Sequence, residues 1–210
     1  MIDLYTWTTP NGRKASIMLE EIGLEYVVHP VNIGEDEQFA PEFLKISPNN
    51  KIPAIVDQDE GIAIMESGAI LIYLAEKTGR LLSSDRKTRV KTLEWLMFQK
   101  AGVGPMLGQA HHFLKFNPDA SEYASARYAE EARRLYGVMD RRLGEVSYLA
   151  GEEYSIADIA TWPWISRYEW QQIDLNEFPN VRRWYVEIAQ RPAVQAGYNV
   201  PRKVSDIPMP

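Results

Sequence analysis

A chain of 210 residues can bury a sizeable core, and 45% hydrophobic against 25% charged residues is an ordinary globular balance. A net charge of −6 argues against a nucleic-acid surface, and no stretch has the apolar length of a membrane span. The chain has no cysteine, so it forms no disulfide, and any thiol in its chemistry must arrive with a substrate. Met1-Ile2-Asp3-Leu4-Tyr5 lacks the basic start and apolar run of a signal peptide, so a cytoplasmic location is expected.

Ile2 to Thr6 alternates and reads as a strand. Thr8-Thr9-Pro10-Asn11-Gly12 is a turn leading into a helix over Arg13 to Ile22, stopped by Gly23. Tyr26 to Asn32 is a second strand, and strand–helix–strand order implies a parallel pair with a right-handed crossover. A short helix over Phe39 to Lys45 follows. Ile52 to Gln58 and Ile62 to Met65 form a hairpin, and Ser67 to Thr78 is a helix ended by Gly79. Beyond Asp85 the pattern is helical throughout. Arg86 to about Phe116 and Ser121 to about Leu143 are long amphipathic helices, the second with Leu135, Tyr136 and Met139 inward. Ser155-Ile156-Ala157-Asp158 is a capping-box variant launching a buried helix, which Pro163 should kink. Pro179 to Gln190 is the last clear helix, and residues after Pro192 read as an extended tail.

The charge is uneven: residues 1–79 carry 5 basic against 13 acidic side chains, and residues 80–210 carry 18 against 16. We therefore expect a first α/β domain of βαβ–ββα order over residues 1–79, a linker at 80–85, and an all-α domain over 86–210.

Two motifs carry chemistry. Pro53 opens a β-branched run; a proline cannot donate to a ladder, so it sits at a strand start, where a cis peptide makes a tight turn. Such a turn presents the backbone N–H and C=O of Ile52 outward, ready to pair with an extended peptide-like ligand. Glu66 and Ser67 stand at a helix start. There a carboxylate can hold an ammonium, while a hydroxyl and free N–H groups can hold a carboxylate.

This order of elements, with Lys51-Ile52-Pro53, then Glu66-Ser67-Gly68-Ala69-Ile70, then Ser155-Ile156-Ala157-Asp158 in a helical domain, resembles the glutathione transferases from Ile2 to about Pro192. The finer pattern of Thr8 to Gly12, Ser47 to Pro53, Gly104 to Gln109 and Ile156 to Ala160 is most similar to the bacterial nu-class enzymes of disulfide-bond reductase type. It is similar also to their relatives around the yeast nitrogen-regulatory prion protein. The resemblance implies a thioredoxin-like first domain, glutathione as cosubstrate, and a cytoplasmic homodimer. It also implies reduction of a small disulfide, with weaker conjugation of an electrophilic substrate or peroxide reduction. A non-catalytic glutathione-binding or regulatory protein of the same fold is the alternative.

Glutathione-binding residues follow from the same resemblance. Ile52 and Pro53 meet the cysteinyl backbone, Glu66 the γ-glutamyl ammonium and Ser67 its carboxylate. Gln38 and Lys51 are candidates for the glycyl end, and Arg127 early in the second long helix is one for its own or a partner subunit's site. Thr9 and Asn11 are the candidates to activate the glutathione sulfur in place of the Tyr, Ser or Cys of other classes; both also fit a plain cap and turn. Tyr5 reads as core. His111 and His112 are adjacent and point to different sides of a helix, so no metal site is expected. Trp162, Trp164, Trp170 and Trp184 read as helical core.

Overall fold

The computed structural model describes residues Met1–Pro210. They form two compact units, one made of Met1–Leu82 with Gln190–Ile207, the other of Ser83–Ala189 with Pro208–Pro210.

In the first unit, β1 (Ile2–Thr6), α1 (Pro10–Ile22), β2 (Tyr26–Pro30), α2 (Pro41–Ile46), β3 (Ala54–Asp57), β4 (Ile62–Met65) and α3 (Ser67–Thr78) follow in order. The sheet order is β2-β1-β3-β4, with β1 parallel to β2 and antiparallel to β3. Alternation along β1 sorts its side chains: Ile2, Leu4 and Thr6 are buried on one face. Thr6 faces α1 so closely that a Cβ on Gly12 would lie 2.5 Å from its hydroxyl and 2.2 Å from the Trp7 carbonyl. Only glycine fits at that crossing of helix and strand. The opposite face carries Asp3 and Tyr5. There Phe43 and Ile46 of α2 pack with Tyr5, Val31 and Ala54. Tyr5 is therefore not core as expected; it lies half-buried on the outer face, stacked on His29.

Two strands are shorter than expected, β2 ending at Pro30 rather than Asn32 and β3 spanning Ala54–Asp57 rather than Ile52 to Gln58, and two further boundaries shift for local reasons. α1 begins at Pro10, whose fixed φ and missing N–H suit the first helical position, so Pro10, Asn11 and Gly12 of the expected turn are helix. The expected extended tail begins with a helix, α9 (Pro192–Tyr198), again with proline at its start, and only residues 199–210 are without regular structure. α9 lies along α1 in the first unit, which thus extends beyond residue 79. Gly197 permits the contact, since a Cβ there would sit 2.6 Å from the backbone of Ile17. Ser16 Oγ donates to the Gly197 carbonyl at 2.7 Å and Arg13 Nε to the Tyr198 carbonyl at 3.1 Å. The buried Arg13 guanidinium also stacks 3.4 Å over the Tyr198 ring, and Arg191 grips Glu21 with two bonds.

The second unit is helical: α4 (Arg86–Phe98), α5 (Gly104–His111), α6 (Glu122–Leu143), α7 (Ile156–Ile165) and α8 (Pro179–Ala189). π-helical stretches at Gln99–Val103 and His112–Phe116 flank α5, so the long helix expected over 86–116 is one helical path with two local widenings. Every residue of α7 is buried, and its helix runs through Pro163. Asp158 completes the capping box and is fully shielded. Its carboxylate accepts from Leu149 N and Trp184 Nε1 at 2.9 Å, and from Ser155 N and Oγ at 3.0 Å. Burial nevertheless raises its pKa to about 6. Trp162, Trp164 and Trp184 are buried, whereas Trp170 is half-buried, with the Arg167 guanidinium 4.5 Å over its ring. No helix is long and apolar enough to cross a membrane.

Candidate functional site

The register of the sheet gathers the residues that carry the two sequence motifs. Tyr5 pairs with Ala54, and Ala54 with Met65, so one row crosses three strands. Immediately beyond that row, at one end of the sheet, come the turn after β1, the Ile52-Pro53 peptide before β3, and Glu66-Ser67 after β4. Each segment presents backbone polar groups that the sheet itself does not use.

The Ile52-Pro53 peptide is cis. The ladder starts at Ala54, and neither the N–H nor the carbonyl of Ile52 pairs with other backbone. Ser47 holds the approach to it, donating from Oγ to the Lys51 carbonyl at 2.8 Å. Asn50 takes a left-handed conformation, φ 49°, and the Lys51 side chain is exposed.

Glu66 has φ 70° and ψ 114°, a conformation costly for a residue with a Cβ. It aims the first turn of α3. Ser67, the first residue of that helix, is buried, and the first turn contains no acidic residue of its own. The helix thus offers its positive end at the sheet end.

Thr9 is the N-cap of α1. Its Oγ1 accepts from Gly12 N at 3.1 Å, and its own N–H donates to the Trp7 carbonyl at 2.7 Å. Capping uses a lone pair of the hydroxyl and leaves its hydrogen available. A cap and a hydrogen-bond donor to an incoming sulfur are therefore compatible roles for one residue. Asn11 lies in the first turn of α1, half-buried, and that turn also contains no acidic residue.

Gln38 sits in a single 3-10 turn, Glu37–Phe39. Its Nε2 lies 3.4 Å from Asp36 Oδ1, while its Oε1 is buried with no hydrogen-bond partner. Arg127 belongs to the other unit. It is exposed on α6, next to Tyr128, which stacks on Phe113 at 5.5 Å. The Glu131 carboxylate is engaged by Arg134 at 2.7 Å, and Arg127 forms no ion pair.

Sequence reasoning missed the contribution of the C-terminal tail. Arg202 stacks its guanidinium 4.8 Å over the ring of Trp7, the residue whose carbonyl anchors Thr9. No pattern could have found a contact spanning nearly the whole chain. His111 is buried against Trp164, and burial with the nearby Arg167 charge lowers its pKa to about 4, while His112 is exposed. No group of three or more His, Cys, Asp or Glu side chains could hold a metal ion.

The family models for the glutathione S-transferase N-terminal and C-terminal domains match residues 1–76 and 103–192. The chain belongs to the glutathione S-transferase family. It is 52% identical over 198 residues to the disulfide-bond oxidoreductase YfcG of Escherichia coli, with 92% of each protein covered. Among solved structures it is similar to a glutathione transferase of Pseudomonas putida with one glutathione disulfide bound per subunit. The TM-score there is 0.91 at 47% identity, covering 95% of this chain and 91% of that one. A Burkholderia graminis glutathione transferase with two glutathione molecules per subunit also gives a TM-score of 0.91. It is 43% identical, with 97% and 89% covered.

Proposed function

We propose that this transferase is a glutathione-dependent disulfide-bond reductase, with weaker conjugating or peroxide-reducing activity. One observation carries the reading. Three polar features stand at one end of the sheet: an unpaired Ile52 backbone, a helix N-terminus behind a strained Glu66, and a cap hydroxyl with its hydrogen unused. These match the backbone, the charged γ-glutamyl end and the sulfur of glutathione. The names and ligands of YfcG and of the Pseudomonas and Burkholderia enzymes support the same substrate class.

Ile52 pairs with the cysteinyl N–H and C=O across the turn that Pro53 forms. Glu66 holds the γ-glutamyl ammonium, and Ser67 with the α3 N-terminus holds the γ-glutamyl carboxylate. At the glycyl end, Lys51 supplies charge for the carboxylate, and the unpartnered Gln38 Oε1 can accept from the glycyl N–H. Arg127, exposed and outside any ion pair, is available to reach glutathione in its own or a partner subunit's site.

The chemical problem is the thiol. Free thiols are mostly protonated at neutral pH, and only the thiolate attacks. The Thr9 hydroxyl donates to the bound sulfur, Asn11 adds its amide, and the positive end of α1 lies alongside. A hydrogen bond to a charged group contributes about 1.5–3 kcal/mol and the helix end about 0.3–1 kcal/mol. Together these raise the thiolate fraction by more than tenfold.

The thiolate then attacks one sulfur of the substrate disulfide. The S–S bond breaks, a mixed disulfide with glutathione forms, and the departing thiolate takes a proton. A second glutathione attacks the mixed disulfide, releasing glutathione disulfide and the second substrate thiol. No protein sulfur takes part, which agrees with a chain that has no cysteine. This chemistry needs a reduced glutathione pool, so we place the protein in the cytoplasm. As in the reading from sequence, we propose a homodimer, which a light-scattering mass would test.

Kinetic assay of disulfide reduction tests the assignment. Thr9→Ala with Asn11→Ala should lower kcat by about 30-fold or more, equivalent to roughly 2 kcal/mol. Thr9→Ser, which retains the hydroxyl and the cap, should stay close to wild type. An unchanged rate in the double variant would remove Thr9 and Asn11 from the mechanism.

A further inference from the structure

A cavity of about 530 Å³ lies between α2 and the outer face of the sheet, within the size range of small-molecule sites. Tyr5, His29, Val31, Phe43 and Ile46 line it. None of the residues assigned above to glutathione does.

Its aromatic wall is rigid. The Tyr5 and His29 rings stack at 4.7 Å with planes 16° apart, Phe43 tilts against Tyr5 at 6.2 Å, and the partly exposed His29 ring offers a flat surface to a third ring. His29 is pinned by Asp3, whose Oδ1 lies 2.9 Å from Nε2. Hydrogen bonds from His29 and Gln58 hold the Asp3 carboxyl below its usual range, so it is ionised and can only accept. Nε2 therefore carries the hydrogen, and in the neutral ring Nδ1 is an acceptor. Neither Nδ1 nor the Tyr5 hydroxyl has a partner in the protein. A largely apolar open pocket thus has a ring nitrogen and a hydroxyl on one aromatic wall, neither of them with a partner in the protein.

The charge around it is one-sided. Glu37 and Glu42 stand at the cavity, and the one cation there, Lys45, is bound to Glu42 at 2.9 Å. With Asp3 behind His29, the surroundings are net negative and repel anions.

We propose that this cavity binds a small flat aromatic molecule with a hydrogen-bond donor and no negative charge, of the phenol or arylalkylamine class. Its ring lies against the Tyr5–His29 pair, its donor pairs with His29 Nδ1 or the Tyr5 hydroxyl, and an ammonium, where present, faces Glu37. The site is independent of the glutathione reading, because the two share no residue.

Tyramine is a suitable probe, with para-hydroxyphenylacetate as a control of equal ring and opposite charge. Methyl resonances of Val31 and Ile46 are followed by NMR in protein saturated with glutathione. Tyramine should shift both methyls saturably and bind at least about tenfold more tightly than the anion, since like charge is disfavoured there. Ala40 also lines the cavity from an exposed position. Ala40→Trp should fill it and weaken tyramine binding by about tenfold or more while glutathione affinity is unchanged. Absence of saturable shifts at Val31 and Ile46, equal affinity for both probes, or displacement of tyramine by glutathione would each overturn the proposal. The wild-type shifts decide the matter even if Ala40→Trp does not fold.

Discussion

Asp158 offers the sharpest test of how the helical unit is held. Its carboxylate is sealed in the protein and accepts from Leu149 N, Trp184 Nε1, Ser155 N and Ser155 Oγ. In Asp158→Ala the hydroxyl of Ser155 can turn elsewhere, but two backbone N–H groups and the indole N–H are left buried without acceptors. Each orphaned donor costs about 1–3 kcal/mol, and relaxation or entering water recovers part of that, so the expected loss is about 3–5 kcal/mol. Such a loss is a large share of the roughly 5–15 kcal/mol that stabilises a typical domain. Asp158→Asn tests a finer point. Asparagine keeps one acceptor oxygen and has no charge to desolvate, and desolvation is what pushes the native carboxyl up to about 6. Its amide nitrogen opposes only the Ser155 N–H, so the expected loss is about 1–2 kcal/mol. Urea unfolding followed by tryptophan fluorescence reads both, since Trp162, Trp164 and Trp184 are buried in this unit. An alanine variant within 1 kcal/mol of wild type, or an asparagine variant as damaged as the alanine one, would refute the reasoning.

Two further outcomes follow from packing and charge in the first unit. Asp57 is fully buried beside Lys77 at 2.8 Å and the Tyr73 hydroxyl at 2.6 Å. Burial alone would raise its pKa, but these partners and the Asp59 N–H outweigh it and bring it to about 2. A carboxyl depressed on folding stabilises above its unfolded pKa, and that stability is lost as pH falls from about 4 through about 2. Acid unfolding of Asp57→Asn should therefore lose roughly 2 kcal/mol less over this window than wild type; an identical pH profile would exclude the pairing. Gly197→Ala would drive a methyl into the backbone of Ile17, costing about 1–3 kcal/mol and loosening α9 to proteolysis; unchanged stability and protection would show that α9 can shift freely.

Much of this architecture was legible because local signals agreed with one another. The Ser155-x-x-Asp158 box and the glycine stops at Gly23 and Gly79 each marked a boundary by backbone chemistry, and Pro53 before a β-branched run located the third strand, which begins at Ala54 rather than Ile52. Short or proline-led elements were the exceptions. α9 holds seven residues and draws its stability from α1, so its helical nature depends on contacts that no local window contains. The π-helical stretches around α5 likewise leave no mark on periodicity. Tyr5 misled for a related reason: an aromatic residue in a strand reads as core, yet which face it takes depends on where α2 packs. At the candidate site, the cis turn at Ile52-Pro53, the helix start behind Glu66 and the cap at Thr9 were legible because proline, helix-start and cap positions are written into local sequence. Arg202 beside Trp7 and the cavity beneath α2 were not, because each is assembled from segments distant along the chain.

A crystal structure of the protein soaked with glutathione disulfide would show where the tripeptide docks and what its sulfur meets. One glutathione half should lie extended along Ile52, its γ-glutamyl ammonium on Glu66 and carboxylate on Ser67, with its sulfur in hydrogen-bond contact with the Thr9 hydroxyl. A tripeptide bound elsewhere, or an empty groove beside Ile52 at saturating ligand, would contradict this placement.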